Sequence, residues 1–318
     1  MPITALFRMG FILLAGLAAL AACGGDRSDS FSEKLRQSAE EDAFTGPALW
    51  RVADADTTVY LFGTVHVLHP DTRWDTPIIS EAVAASDAIY LEADTQSNGA
   101  QSRIGNAFIE LGIYKDGTTL EDALPPSAEK EVEEAADLLG ISMQSIYNYK
   151  PWFASLQLSS LHLQSRDFDN DLGVEQVISE QARRQKKPIR YLETGPYQLE
   201  LLSSVPEAEQ VALLVQTAMQ IEDQPDFLDQ LVANWSVGDV GALAATIADD
   251  EVFGSGDIYN LMIRQRNTEW TAKIEALMEE EAGTYFVAVG AAHLAGEDSL
   301  QSMLGESGLT AYRENPPR

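Results

Sequence analysis

The sequence predicts an α/β chain, α+β in its layout: a small mixed sheet with G-x-x-H motifs at two strand ends and a large helical insertion. Three observations predict it. Near opposite ends of the chain, the apolar runs Val59-Tyr60-Leu61-Phe62 and Phe286-Val287-Ala288-Val289 lead into Gly63-Thr64-Val65-His66 and Gly290-Ala291-Ala292-His293. Two further short apolar runs end in carboxylates, at Glu92 and at Glu193. Between these pieces lie long stretches of helical period, broken at Pro125-Pro126, so helices form the bulk of the fold.

Taken in order, Ser32 to Phe44 reads as an acidic amphipathic helix. Ala48 to Val52 and Thr58 to Phe62 are β-rich and separated by Ala53-Asp54-Ala55-Asp56, a hairpin signal. Pro77 to Ser86 has helical spacing with Pro in its first turn, and Ala88 to Leu91 is a short apolar strand. Strand, helix, strand in that order predicts a parallel pair. Helices are expected over Asn106–Leu111, Ser127–Leu139, Pro151–Gln164 and Val174–Gln185, then a strand over Ile189–Leu192. Helices follow over Pro206–Gln220, Phe227–Asn234 and the long Ile258–Glu280. Strand Tyr285–Val289, a helix near Ser299–Leu304 and a last regular piece at Leu309–Tyr312 complete the chain. This gives one domain over residues 45–318, with helical insertions around 100–185 and 196–280.

The 318 residues carry a formal net charge of −29, with 45% hydrophobic residues and a single Cys. Such a surface repels phosphate backbones, which argues against nucleic-acid partners, and one Cys excludes a disulfide framework or a multi-Cys zinc site. Residues 1–22 read as a signal peptide: Arg8 precedes the apolar run Met9 to Leu20, too short for a membrane span, and Leu20-Ala21-Ala22-Cys23-Gly24 resembles a lipobox. On that reading Cys23 carries lipid, residues 23–44 form a tether and the first helix, and the protein sits in the cell envelope. Gly24, where an Asp would retain the chain at the inner membrane, favours the outer membrane, periplasmic face. An ordinary secretory signal with an incidental Cys is the plainer alternative.

Glycine at a strand end permits close backbone approach, and a His three residues later stands beyond the strand's carboxyl edge, where open α/β sheets place ligands. If the four strands lie parallel in one sheet, His66, His293, Glu92 and Glu193 converge on one rim. Two imidazoles and one or two carboxylates suit a divalent ion such as Mn, Co, Zn or Fe that activates water. The plain alternative is two His satisfied by hydrogen bonds at turns. His69 reads as an orienting group behind His66 or as a loop residue, and His162 as a helix residue at or near the core. Within Arg264-Gln265-Arg266-Asn267, Arg266 can hold a carboxylate or an oxyanion and Asn267 can orient water or a carbonyl, with intramolecular salt bridges as the competing reading. H-E-x-x-H, G-x-S-x-G, a phosphate loop and G-x-G-x-x-G are all missing from the sequence.

In order and spacing, Leu61-Phe62-Gly63-Thr64-Val65-His66, Leu91-Glu92, Lys150-Pro151-Trp152, Gly173-Val174-Glu175, Lys187-Pro188-Ile189, Leu192-Glu193-Thr194 with Gln198, Arg266-Asn267 with Trp270, and Phe286 to Leu294 resemble the TraB/GumN family of bacterial envelope proteins. That family is grouped with Tiki-type metalloproteases and, more distantly, with erythromycin esterases and haem-binding lipoproteins. The resemblance runs from about Leu49 to Tyr312, with Glu175 standing where the family more often has Asp. It implies a metal-dependent hydrolase scaffold centred on the two G-x-x-H histidines and a strand-end Glu, and leaves the substrate, a peptide or a small molecule, open. The expectation is a lipid-anchored metallohydrolase of peptide bonds. His66, His293 and Glu92 bind the ion, Glu92 and Glu193 are candidates for general base, Arg266 stabilises the oxyanion, and Asn267 positions substrate or water. The alternatives are a non-catalytic haem or metal carrier, a polysaccharide-export accessory, and a small-molecule esterase.

Overall fold

The computed structural model describes residues 45–247 and 255–315. The expected signal peptide, Cys23, the tether and the Ser32–Phe44 helix lie outside the described residues. Strands β1 (Leu49–Ala53) and β2 (Thr57–Thr64) form the expected hairpin, with Val52 opposite Val59. Its turn is closed by Asp54, whose carboxylate accepts the Thr57 N–H at 2.8 Å, the local bonding that makes Asp a turn former. Helix α1 (Pro77–Ala85) starts with Pro at its first position and leads to β3 (Ala88–Leu91).

The insertion then runs through α2 (Asn98–Gly112), α3 (Leu120–Ala123), α4 (Pro126–Leu138), α5 (Pro151–Ser165) and α6 (Val174–Arg184) before β4 (Ile189–Tyr191). A second helical stretch holds α7 (Gly195–Ser204), α8 (Glu207–Asp223), α9 (Phe227–Ser236), α10 (Val240–Ile247) and α11 (Gly256–Tyr259). A π-helical turn over Asn260–Gln265 joins α11 to α12 (Arg266–Glu280). Strand β5 (Gly283–Gly290), a 3-10 turn over Ala291–Leu294, α13 (Leu300–Glu306) and β6 (Tyr312–Arg313) close the chain.

The six strands form one mixed sheet in the order β4-β3-β5-β2-β1-β6. β2, β5, β3 and β4 are mutually parallel, and β1 runs against β2 and β6. The two-residue alternation of strands sorts the core. Phe62, Ile89 and Phe286 face a layer that includes Trp152, Ile178, Leu199 and Trp235. Leu61, Val287 and Val289 face α12 and α13 through Trp270, Ile274 and Leu300. A third cluster, around Val132, Leu158 and Leu214, holds the insertion helices to one another.

Four expectations need correction. β2 and β3 are parallel but not neighbours: β5, from the far end of the chain, pairs with both. The helix expected from Asn106 begins at Asn98, because Ser97 accepts the Ala100 N–H at 3.2 Å and caps it there. Helices α3, α7 and α10 are additional. The single helix expected over Ile258–Glu280 is interrupted by the π turn directly before Arg266.

Candidate metal centre

The carboxyl ends of β2, β3 and β5 share one rim, because the three strands are parallel and in register from Thr64 opposite Gly290 and from Leu91 opposite Ala288. The two G-x-x-H turns pack on each other there. A Cβ on Gly63 would lie 3.0 Å from the Ala291 Cα, so glycine is what lets the first turn touch the second. The Gly63 carbonyl is not left unpaired by this closeness, since the buried Trp235 Nε1–H donates to it at 2.8 Å.

His66 is fastened from the insertion. Val174 donates its N–H to the Val65 carbonyl at 3.0 Å, which docks the start of α6 on the His66 turn, and a Cβ on Gly173 would strike the His66 carbonyl. This contact brings Glu175 to the imidazole, Oε1 to Nδ1 at 2.6 Å. The side chain of His66 remains 30% exposed. Burial disfavours its charged form, but the charge and hydrogen bond of Glu175, together with Glu92, outweigh that and raise its pKa to about 9. The rim therefore holds a positive charge on His66 at neutral pH.

Deeper in, Arg266 is the hub, 4% exposed and fully engaged. Nε and Nη2 donate to Glu193 at 3.1 and 2.8 Å, Nη2 to Glu92 Oε2 at 2.6 Å, and Nη1 to the Met262 carbonyl and to His293 Nε2, both at 3.0 Å. Its guanidinium lies over Trp270, 4.6 Å from the ring centre. Glu92 also accepts the Gly290 N–H at 2.6 Å and the Gln198 amide at 3.1 Å. Burial would raise the Glu92 pKa, yet Arg266, then His293, His66 and the Gly290 N–H hold it down at about 2. Glu193, bonded besides to Gln198 at 2.5 Å and Trp270 Nε1 at 3.0 Å, is pushed up by burial against the pull of Arg266.

The bonding around Asn267 decides the tautomer of His293. The Asn267 Nδ2 donates to the carbonyls of His293 and Asp298 at 3.1 and 2.7 Å, so its Oδ1 faces His293 Nδ1 at 2.7 Å and must accept from it. Nδ1 thus carries the proton and Nε2 the lone pair, which receives Arg266. Burial, then Arg266, lowers the His293 pKa to about 3, so the ring is neutral.

Beside these groups a cleft of about 240 Å³ opens, lined among others by Thr64, His66, Glu92, Glu175 and Gln198. His66 and Glu92 face it, whereas Arg266, Asn267, Glu193 and His293 do not line it. Arg266 and Asn267, expected from sequence to meet an oxyanion and the substrate, are set back from the cleft: all the guanidinium nitrogens are bonded within the protein, and Asn267 is 0% exposed. The competing salt-bridge reading holds for both arginines, with Arg264 paired to Asp298 at 3.1 Å. Glu175, which local sequence does not mark as functional, is the partner that orients His66. His69 ties its loop to Asp229 at 3.0 Å and stacks on Phe168, and half-buried His162 reaches the Pro225 carbonyl at 3.3 Å.

The donor types at the rim, two imidazoles and a carboxylate, are those that bind divalent ions. Each imidazole has its Nδ1 held by an acceptor, Glu175 or Asn267, the outer partnership that orients metal-binding His and leaves Nε2 as the ligand atom. Glu92 is ionised, with Oε1 3.8 Å from His293 Nε2. The residues that would hold an ion there are His66, His293 and Glu92, and they could do so only with the His293 Nε2 free of Arg266 and the His66 ring unprotonated. Among the described residues, the group of three His, Cys, Asp or Glu with donor atoms all within 4.8 Å of one another is Glu131, Glu134 and Glu222, on α4 and α8, where Lys130 already pairs with Glu134; the donor atoms of His66, His293 and Glu92 do not lie that close together.

The TraB/PrgY/gumN family matches residues 48–313 of the chain. Uncharacterized protein YbaP of Escherichia coli (strain K12) is 24% identical over 262 residues, covering 82% of this chain and 93% of that protein. Metalloprotease TIKI1 of Danio rerio is 22% identical over 310 residues, covering 82% of this chain and 61% of the relative. No solved structure matches the chain.

Proposed function

The chain belongs to the TraB/PrgY/gumN family, and from that premise we propose that it is a metal-dependent hydrolase of peptide bonds anchored in the cell envelope by lipid on Cys23. His66, His293 and Glu92 hold the ion. When bound, the ion supplies a water acidic enough to act as nucleophile near neutral pH and polarises the scissile carbonyl. Glu92, ionised down to about pH 2 and facing the cleft, is placed to accept a proton there. Glu175 and Asn267 fix the two imidazoles, and Glu193 with Gln198 holds Arg266 against Glu92.

The observation that carries the reading is that both G-x-x-H histidines and Glu92 stand at the carboxyl ends of adjacent parallel strands, with Glu92 Oε1 3.8 Å from His293 Nε2 and His66 and Glu92 lining the cleft. The likeness to a protein named as a metalloprotease supports the peptide bond as target. The test is hydrolysis of unstructured peptides by residues 24–318 with Mn, Co, Zn or Fe added singly. Cleavage that disappears in His66→Ala and in chelator is expected; a folded protein that cleaves no peptide with any of the four ions contradicts the reading. Incorporation of labelled fatty acid, lost in Cys23→Ala, tests the anchor, and its recovery with outer-membrane fractions tests the location.

A further inference from the structure

Of the five carboxamide side chains that line the cleft beside His66 and Glu92, Gln198 is held by Glu92 and Glu193, and the other four are Gln96, Gln101, Asn170 and Gln176. They come from two separate places in the chain: Gln96 and Gln101 from the start of the insertion after β3, Asn170 and Gln176 from the segment that docks α6 on the His66 turn. All four are half-buried, and none of their side chains is hydrogen-bonded to another described residue. A carboxamide offers one acceptor and a pair of donors, the complement of the C=O and N–H that each unit of an extended peptide presents.

The rest of the lining narrows the class of occupant. Among the described residues it contains no Lys or Arg and no Phe, Tyr or Trp. Arg266 is sealed behind Glu92, so it offers no donor to a substrate anion. Carboxylate or phosphate ligands would meet Glu92, Asp171 and Glu175 with, among the described residues, only His66 in opposition. A sugar ring would find no aromatic face to stack on. Resting on the hydrolase reading above, we infer that the cleft reads the main chain of an extended, neutral or basic peptide, and that Gln96, Gln101, Asn170 and Gln176 determine this specificity.

Fluorescence anisotropy on chelator-treated protein measures binding apart from turnover. The probe is a dye-labelled hexapeptide of Ala with two Lys. The competitors are the same peptide with alternate backbone nitrogens methylated, its counterpart with Glu for Lys, and a neutral hexasaccharide of N-acetylglucosamine. Loss of two main-chain hydrogen bonds should weaken the methylated peptide by about tenfold. Charge reversal should weaken binding by up to about fivefold, an effect that fades in high salt, and the sugar should not compete. The double variant Gln101→Leu, Gln176→Leu should lose about tenfold in peptide affinity with its melting temperature unchanged. Equal binding of parent and methylated peptides, full competition by the sugar, or no peptide binding at all overturns the inference. Binding in the expected pattern without cleavage on adding metal sinks the hydrolase reading alone. Cleavage indifferent to backbone methylation sinks this one alone.

Discussion

Replacing Arg266 by Met removes the guanidinium that two buried carboxylates share. The side chains involved are 5% exposed for Arg266, 14% for Glu92 and 2% for Glu193, so water cannot take the cation's place. Breaking a buried ion pair by deleting one partner costs about 3–5 kcal/mol. The carboxylates have one escape, which is to bind protons, and this makes the cost depend on pH. Without Arg266, burial raises both carboxyl groups above their ordinary range, so the folded state holds more protons than the unfolded state. Stability then falls as pH rises from that range toward the raised values, by up to about 1.4 kcal/mol per pH unit for each group that titrates. The full 3–5 kcal/mol should appear at pH 8 and shrink to roughly 1–2 kcal/mol at pH 5. Urea unfolding of parent and Arg266→Met at both pH values measures this, and adding Glu193→Gln to the variant should recover part of the loss. A penalty below about 1 kcal/mol at pH 8, or the same penalty at both pH values, refutes the hub described for Arg266.

Glu175→Gln should bring the His66 pKa from about 9 back toward its ordinary value, read by NMR titration of the ring; an unchanged titration would remove Glu175 as its partner. Asn267→Ala strands the His293 Nδ1–H and two buried carbonyls, so it should cost about 2–4 kcal/mol in urea unfolding and weaken metal binding by about 10–100-fold; a loss confined to one of the two readouts would separate folding from tautomer control. For the metal-free protein, His293 is depressed to about 3 and Glu92 to about 2. Each contributes stability that is present above its ordinary pKa and lost on acidification, so urea midpoints should begin to fall below about pH 6.5 and fall again below about pH 4.5. A flat profile from pH 7 to 4.5 would contradict the His293 assignment, and no further fall from pH 4.5 to 3 would contradict that of Glu92. Gly63→Ala presses a methyl on the Ala291 backbone and should destabilise by about 1–3 kcal/mol; a neutral substitution would show that the two turns give way.

Much of this arrangement is legible from local pattern. Runs such as Phe286-Val287-Ala288-Val289 are strands buried on both faces, and the glycine ending each marks a close approach that the Gly63 to Ala291 contact explains. What local pattern hides is partnership over distance. Nothing near Arg266 in the chain shows that it will meet Glu92 and Glu193, and the same residue types that bind an oxyanion when free become scaffolding when every donor is engaged. Glu175 escapes notice as a functional residue because its link to His66 depends on the Val174 to Val65 hydrogen bond between distant segments. Helix α7 is masked by Gly195-Pro196, which resembles a break; Thr194 accepts the Tyr197 N–H and turns it into a helix start. The π turn before Arg266 leaves no mark in the apolar spacing, although the Met262 carbonyl within it is one of the groups that seats the guanidinium.

The most direct test of the central claim is the metal content of residues 24–318, purified without chelator or affinity metal, beside the His66→Ala, His293→Ala double variant. About one divalent ion per parent chain is expected, lost from a variant that keeps the circular dichroism of the parent. Parent and variant both free of metal after exposure to Mn, Co, Zn and Fe would contradict it.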